Sequence, residues 1–264
     1  VSVARVSVAR SHPQVRYAVR SETTWQADSA GVPREAAQTA TATIAVRVER
    51  LEVPDAAVTQ SARTARSTGV RARGEVSQFV SVPSERLQGP ERPVATLPLT
   101  VPFEALLDGG MARVVPVPAL ANECDRPETA ATALARELLV RLPRSLAAGD
   151  RWTDTTRTFA CRAGVPITVT TVTESTVASV TRNRAVLQRR VKSDSEGELV
   201  SPWRTMGVRG QGRGEQTVEL GLPSGEVLRL DSRSESTFTL RDSALPAGGA
   251  ARVAQVTVYE ARRM

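Results

Sequence analysis

The chain has 264 residues, enough to bury one sizeable core, and 41% of them are hydrophobic but only 3% aromatic. The interior must therefore be built from Val, Ala, Thr and other small or β-branched side chains, which favours sheet over helix bundle. The formal charge of +7 does not point to nucleic acid, because the basic residues, all Arg apart from Lys192 and His12, are scattered among acidic ones instead of gathered on one face.

His12 is the single histidine, which excludes most His-dependent catalysis and most His-containing metal sites. No cofactor is expected. No segment approaches the roughly 20 apolar residues that cross a bilayer as a helix, so no transmembrane segment is expected. The chain opens at Val1 rather than Met, read as the removal of an export or lipoprotein signal.

In chain order, residues 1–13 are read as a flexible N-terminal flank or edge strand, and 14–264 as a single β-rich domain. Gln14 to Ala27 and Thr39 to Val53 read as antiparallel strands flanking a Gly31-Val32-Pro33 turn signal. Asp55 to Gly69 is weakly patterned, Val70 to Val82 resumes strand character, and Pro83 to Pro98 reads as a surface loop.

One helix is expected, over 125–142. Asp125 suits its N-cap, Pro127 its first turn, and Glu128 completes a capping box. Ala131, Leu134, Leu138 and Leu142 recur at helical spacing, Glu137 and Arg141 form an outer pair, and Pro143 ends the element.

The rest reads as strands: Arg151 to Cys161, Pro166 to Val177, Ala185 to Val191, Gly214 to Leu220, Glu226 to Asp231, Ser236 to Leu240 and Val253 to Tyr259. Turn signals lie at Arg162-Ala163-Gly164, Ser195-Glu196-Gly197 and Pro223-Ser224-Gly225. Short turns of this kind join antiparallel neighbours, so a meander is expected.

Gly207, Gly210, Gly212 and Gly214 lack the following helix, and the Lys with Ser or Thr, of a phosphate-binding loop. They read as a bulge or sharp bend. Arg209 and Arg213 beside them have no interleaved aromatic and read as a solvated strand face. Asp150, Asp154, Glu174, Glu215 and Glu219 include no pair singled out by spacing, and no Gly-x-Ser-x-Gly or Ser-x-x-Lys occurs, so an enzyme is not expected. Trp25, Trp152 and Trp203 read as core anchors, with pocket lining as the alternative. Cys124 and Cys161, the only cysteines, are expected to form a disulfide in an oxidising compartment; the alternative is two separate buried thiols.

Leu142-Pro143, Gly149-Asp150-Arg151-Trp152, Gly210-Gln211-Gly212-Arg213-Gly214 and Gly225-Glu226-Val227-Leu228, set among long strands, resemble uncharacterised exported bacterial domains of the lipoprotein-carrier and LppX-type half-barrel kind. The resemblance covers mainly the C-terminal half. It implies a strongly bent antiparallel sheet with helix on its concave side, in proteins that hold or pass lipid in the cell envelope.

The expected fold is thus mainly β (α+β), a curved antiparallel meander sheet or half-barrel with one amphipathic helix packed on it. The expected function is an extracytoplasmic, non-catalytic binding protein, periplasmic or envelope-associated, with a lipid or other apolar small molecule lined by Leu134, Leu138, Val186, Val218 and Leu228. The alternative is a structural or adaptor domain with a filled core and an envelope protein as partner.

Overall fold

The computed structural model describes residues 5–29, 32–51, 68–83, 95–96, 100–108, 110–118, 124, 126–162, 164–243 and 250–264. The elements are β1 (Val6–Ser7), β2 (Ser11–Ser29), β3 (Val32–Arg50), β4 (Val70–Pro83), β5 (Ala95–Thr96), β6 (Val101–Asp108), β7 (Met111–Pro116), α1 (Pro127–Arg136), β8 (Ser145–Leu146), β9 (Arg151–Arg162), β10 (Val165–Val180), β11 (Arg184–Ser201), β12 (Arg204–Gly221), β13 (Val227–Asp242) and β14 (Ala250–Arg263). Asp125, most of the 55–69 stretch and most of the 83–98 loop lie outside the described residues.

The strands run β3-β2-β14-β13-β12-β11-β10-β9-β7-β6-β4, and β4 pairs back onto β3, so 11 strands close a barrel. The half-barrel expectation is overturned. Closure comes from β6 and β7, a stretch not read as strand in the sequence, which bridge β4 to β9. β6 is nonetheless a regular alternation, with Val101, Phe103, Ala105 and Leu107 buried and the residues between them exposed.

An odd ring cannot alternate strand direction all the way round, so one neighbouring pair has to be parallel. That pair is β7 and β9, which meet at Met111 opposite Arg157. Parallel neighbours need a long crossover instead of a hairpin, and the stretch between β7 and β9, which contains α1, is that crossover. It passes through the lumen. α1 packs against β7, β6 and β4 on one side, while Tyr259 of β14 and Gln216 of β12 reach it from other parts of the wall.

Enclosure explains why the helix is shorter than expected. α1 ends at Arg136, and Arg126 is its N-cap residue without a side-chain cap. Leu138, Leu139 and Val140 are buried consecutively, followed by Leu142 and Leu146. A helix with one apolar stripe cannot bury successive residues in this way, but an irregular segment surrounded by wall can. Leu138 and Leu142 therefore belong to the interior plug, not to a helical stripe. The expected Glu137–Arg141 pair is also corrected: Glu137 accepts from Gln216, and Arg141 lies 3.8 Å from Asp154.

Two further expectations change. Ser195-Glu196-Gly197 is not a turn but the interior of β11, and β11 pairs with β12 without a register shift from Arg184 to Ser201. The glycines from Gly207 to Gly214 therefore make no bulge. Gly210 and Gly212, like Gly197 of β11, serve close approach: a Cβ on Gly210 would lie 2.7 Å from Phe238 Cβ, one on Gly212 2.6 Å from Ser193 Oγ, and one on Gly197 2.2 Å from the Pro166 carbonyl oxygen. Inward side chains of neighbouring strands can thus crowd together where the wall curls.

The outward face is polar. β11 turns Arg190, Lys192, Asp194 and Glu196 outward, β12 Arg209, Gln211, Arg213 and Glu215, and β13 Arg229, Asp231, Arg233 and Glu235, each alternating with inward residues. A barrel wall in lipid carries an apolar outer band instead. Arg209 and Arg213 are exposed, as expected. No helix among the described residues is long and apolar enough to cross a membrane.

Candidate functional site

The lumen is stratified, because each cross-strand register line places chemically similar residues side by side. The main core joins Leu187, Val218, Leu230, Ala261 and Val19 with the plug residues Leu138, Leu139, Leu142 and Leu146. A second apolar cluster, Val165, Ile167, Met206 and Val208, lies toward the opposite ends of β10 and β12. Between them the inward side chains turn polar.

The first polar line holds the plug. Tyr259 donates to the Leu134 carbonyl at 2.8 Å, and Gln216 donates to Glu137 at 2.9 Å while accepting from Arg189 at 2.6 Å. Nearby, the Trp152 indole donates to Asp154 at 3.0 Å, and Thr68 holds the Leu142 carbonyl through both its amide and its hydroxyl. Burial lowers the Arg189 pKa against the opposing influence of Glu137 and Asp154. Burial, with Glu137 nearby, raises the Tyr259 phenol well above its ordinary range. Glu137 thus ties the plug to β12, and Asp154 of β9 lies against the plug at Arg141.

The next two lines form an interior band running from β9 round to β2. One carries Thr173, Gly214, Ser234, Thr257 and Thr23; the other carries Thr156, Thr171, Ser193, Gly212, Ser236 and Gln255, and ends at Trp25. Thr23 bonds Thr257 at 3.1 Å, Gln255 donates to Thr257 at 2.9 Å, and Arg162 reaches from β9 to Gln255 at 2.5 Å with its guanidinium 5.3 Å from the Phe238 ring. The hydroxyls of Thr156, Thr171, Thr173, Ser193, Ser234 and Ser236 have no side-chain hydrogen bond to any described residue.

Of the residues expected to line an apolar ligand site, Leu138 and Val218 are buried in the main core and Leu134 packs against it. Val186 shares the outer face with Glu219, its cross-strand partner, and Leu228 is the unpaired residue where the β12–β13 register shifts. The five residues do not form one site. The sequence reading missed the band because single Ser, Thr and Gly residues alternating with charges look like a solvated face; only the register shows them turned inward. Among the tryptophans, Trp152 is a core anchor at 3% exposure, Trp25 is half-buried, and Trp203 is 91% exposed in the β11–β12 turn. The core-anchor expectation for Trp203 is overturned, since a residue in a protruding hairpin turn has no second layer to pack on.

Cys124 and Cys161 form a disulfide, with their Cα atoms 5.1 Å apart. It ties the approach to α1 to β9. On the outer face a groove of about 730 Å³ crosses β10 to β14, with Thr168, Asp194, Glu196, Arg209, Gln211 and Arg252 among its lining.

No family model matches the chain, and no curated protein matches it. Among solved structures, the crystal structure of Acinetobacter baumannii OccAB4 is similar over 97% of this chain and 99% of that one, at 7% identity and a TM-score of 0.19. Similarity at that level assigns neither a shared fold nor a function.

Proposed function

We propose that this chain is an extracytoplasmic, non-catalytic barrel that holds a small molecule in the part of its lumen left unfilled by its own crossover. The observation that carries the reading is the interior band: inward hydroxyls, half-buried and at Thr173 buried, that make no side-chain hydrogen bond to a described residue, whereas enclosed polar groups are ordinarily paired. The apolar part of the lumen is packed by the plug, so a lipid in contact with Leu138 and Val218 would have to displace it. The disulfide supports an oxidising compartment, and the charged outer wall supports contact with water. Native mass spectrometry of the protein recovered from its own host is expected to show one polar small molecule bound and no acyl chain. A bare mass from folded protein would sink the reading.

The outer groove supports a second reading, an adaptor domain that recognises an envelope protein through Asp194, Glu196, Arg209 and Arg252. If a single partner is captured by the native chain and lost with Arg209→Glu and Arg252→Glu together, that reading takes precedence.

A further inference from the structure

We propose that the interior band is a binding site for a neutral, polyhydroxylated molecule of the saccharide or polyol class. This rests on the binding reading above and supplies its ligand chemistry.

Hydrogen-bonding capacity is the first ground. A hydroxyl both donates and accepts, so Thr171, Thr173, Ser193, Ser234 and Ser236 together present an array that matches a ligand rich in hydroxyls and leaves a hydrocarbon mismatched. Thr173 is only 7% exposed, and its hydroxyl makes no side-chain hydrogen bond to a described residue. Ser175, the next inward residue of β10, is 2% exposed and its hydroxyl is likewise unpartnered. Enclosed hydroxyls in that condition need a polar occupant.

The charged groups on or beside the band are engaged within the protein: Asp154, on the Thr173 register line, with Trp152 and Arg141, and Arg162 with Gln255 and the Phe238 ring. A neutral ligand needs no counter-charge beyond these.

Shape completes the argument. A Cβ on Gly212 would lie 2.6 Å from Ser193 Oγ and 3.3 Å from Ser236 Cβ, so the glycine lets two serines from neighbouring strands converge over bare backbone. The same register line ends at the half-buried Trp25, whose flat ring suits the C–H face of a sugar.

The test uses the full chain with its disulfide intact and saturation-transfer NMR against trehalose, glucose, myo-inositol and decanoate. Transfer to at least one of the three polyhydroxylated probes is expected, with affinity at least tenfold weaker in the Ser193→Ala/Ser236→Ala double variant, which removes hydroxyls while adding no bulk. Thermal melts of both proteins establish that the variant is folded. Transfer to decanoate alone would overturn the ligand class and leave interior binding standing. Absence of transfer to all four probes, or equal transfer by native protein and variant, would overturn the proposed site. A bare mass from the host-derived protein would remove the binding reading as well.

Discussion

Tyr259 and Leu134 belong to different parts of the molecule and meet inside the barrel, where the phenol of the wall strand β14 donates to the carbonyl oxygen of the plug helix at 2.8 Å. The last four carbonyls of a helix have no intrahelical partner. Leu134 contributes one of them, and a wall residue supplies what solvent supplies to a surface helix. The barrel wall and its plug are thus one hydrogen-bonded unit.

Replacing Tyr259 by Phe keeps the ring in the core and removes only the donor. The buried carbonyl is left without that partner, so a loss of about 1–3 kcal/mol is expected. Urea unfolding should show a lower midpoint with an unchanged slope. A midpoint equal to that of the native protein would mean that the plug is not held through this contact.

The disulfide closes a loop with a sequence separation of 37. The chain-entropy model gives about 4 kcal/mol for a loop of that size, as an upper figure. Cys124→Ala/Cys161→Ala is therefore expected to melt well below the native chain, and hydrogen exchange should rise first in α1, because its approach is what the bridge ties to β9. Uniform loss of protection across α1 and β12 together would contradict a local role.

His12 is buried and its pKa is lowered from the ordinary 6.5, chiefly by desolvation, with the hydrogen bond to Pro13 opposing and Arg50 adding to the lowering. The unfolded chain then takes up the proton at a higher pH than the folded chain does. This contribution to stability is intact above about 6.5 and is lost as pH falls toward the lower folded value. Unfolding free energies of native protein and His12→Gln, compared between pH 7.5 and 5.5, should converge or cross as pH falls. Parallel curves would show that His12 titrates alike in both states.

Two glycines make opposite predictions. A Cβ on Gly197 would lie 2.2 Å from the Pro166 carbonyl oxygen and 2.8 Å from Ile167 Cα, both backbone atoms, whereas one on Gly207 meets nothing within 4 Å. Gly197→Ala is expected to destabilise by about 1–3 kcal/mol or more through overpacking. Gly207→Ala should be neutral or stabilising by up to about 1 kcal/mol, since it restricts the unfolded chain. Calorimetric melts of the pair decide the matter, and similar losses in both would mean that the curl at Gly197 relaxes freely.

Much of the sheet was legible because alternation survives in the sequence wherever one face meets the core: Val15, Tyr17 and Val19 on β2, and Val218 and Leu220 on β12, are buried as their spacing predicts. The disulfide was legible from the scarcity of cysteine. The band was not, since Ser193, Gly212 and Ser236 carry no hydrophobic signal that distinguishes inside from outside. Leu138 and Leu142 misled for the opposite reason: their spacing fits a helix, but a segment enclosed on every side is released from helical periodicity.

The sequence by itself determined that this chain is mainly β, that a helix lies near residue 130, and that its two thiols pair, because composition, local alternation and cysteine count act over short range or by elimination. Tertiary structure alone decided that the sheet closes, that the crossover lies within the lumen, and which serines and threonines face inward. Those outcomes depend on register between strands far apart in the chain, and a one-residue slip would turn every side chain of a strand to the other face.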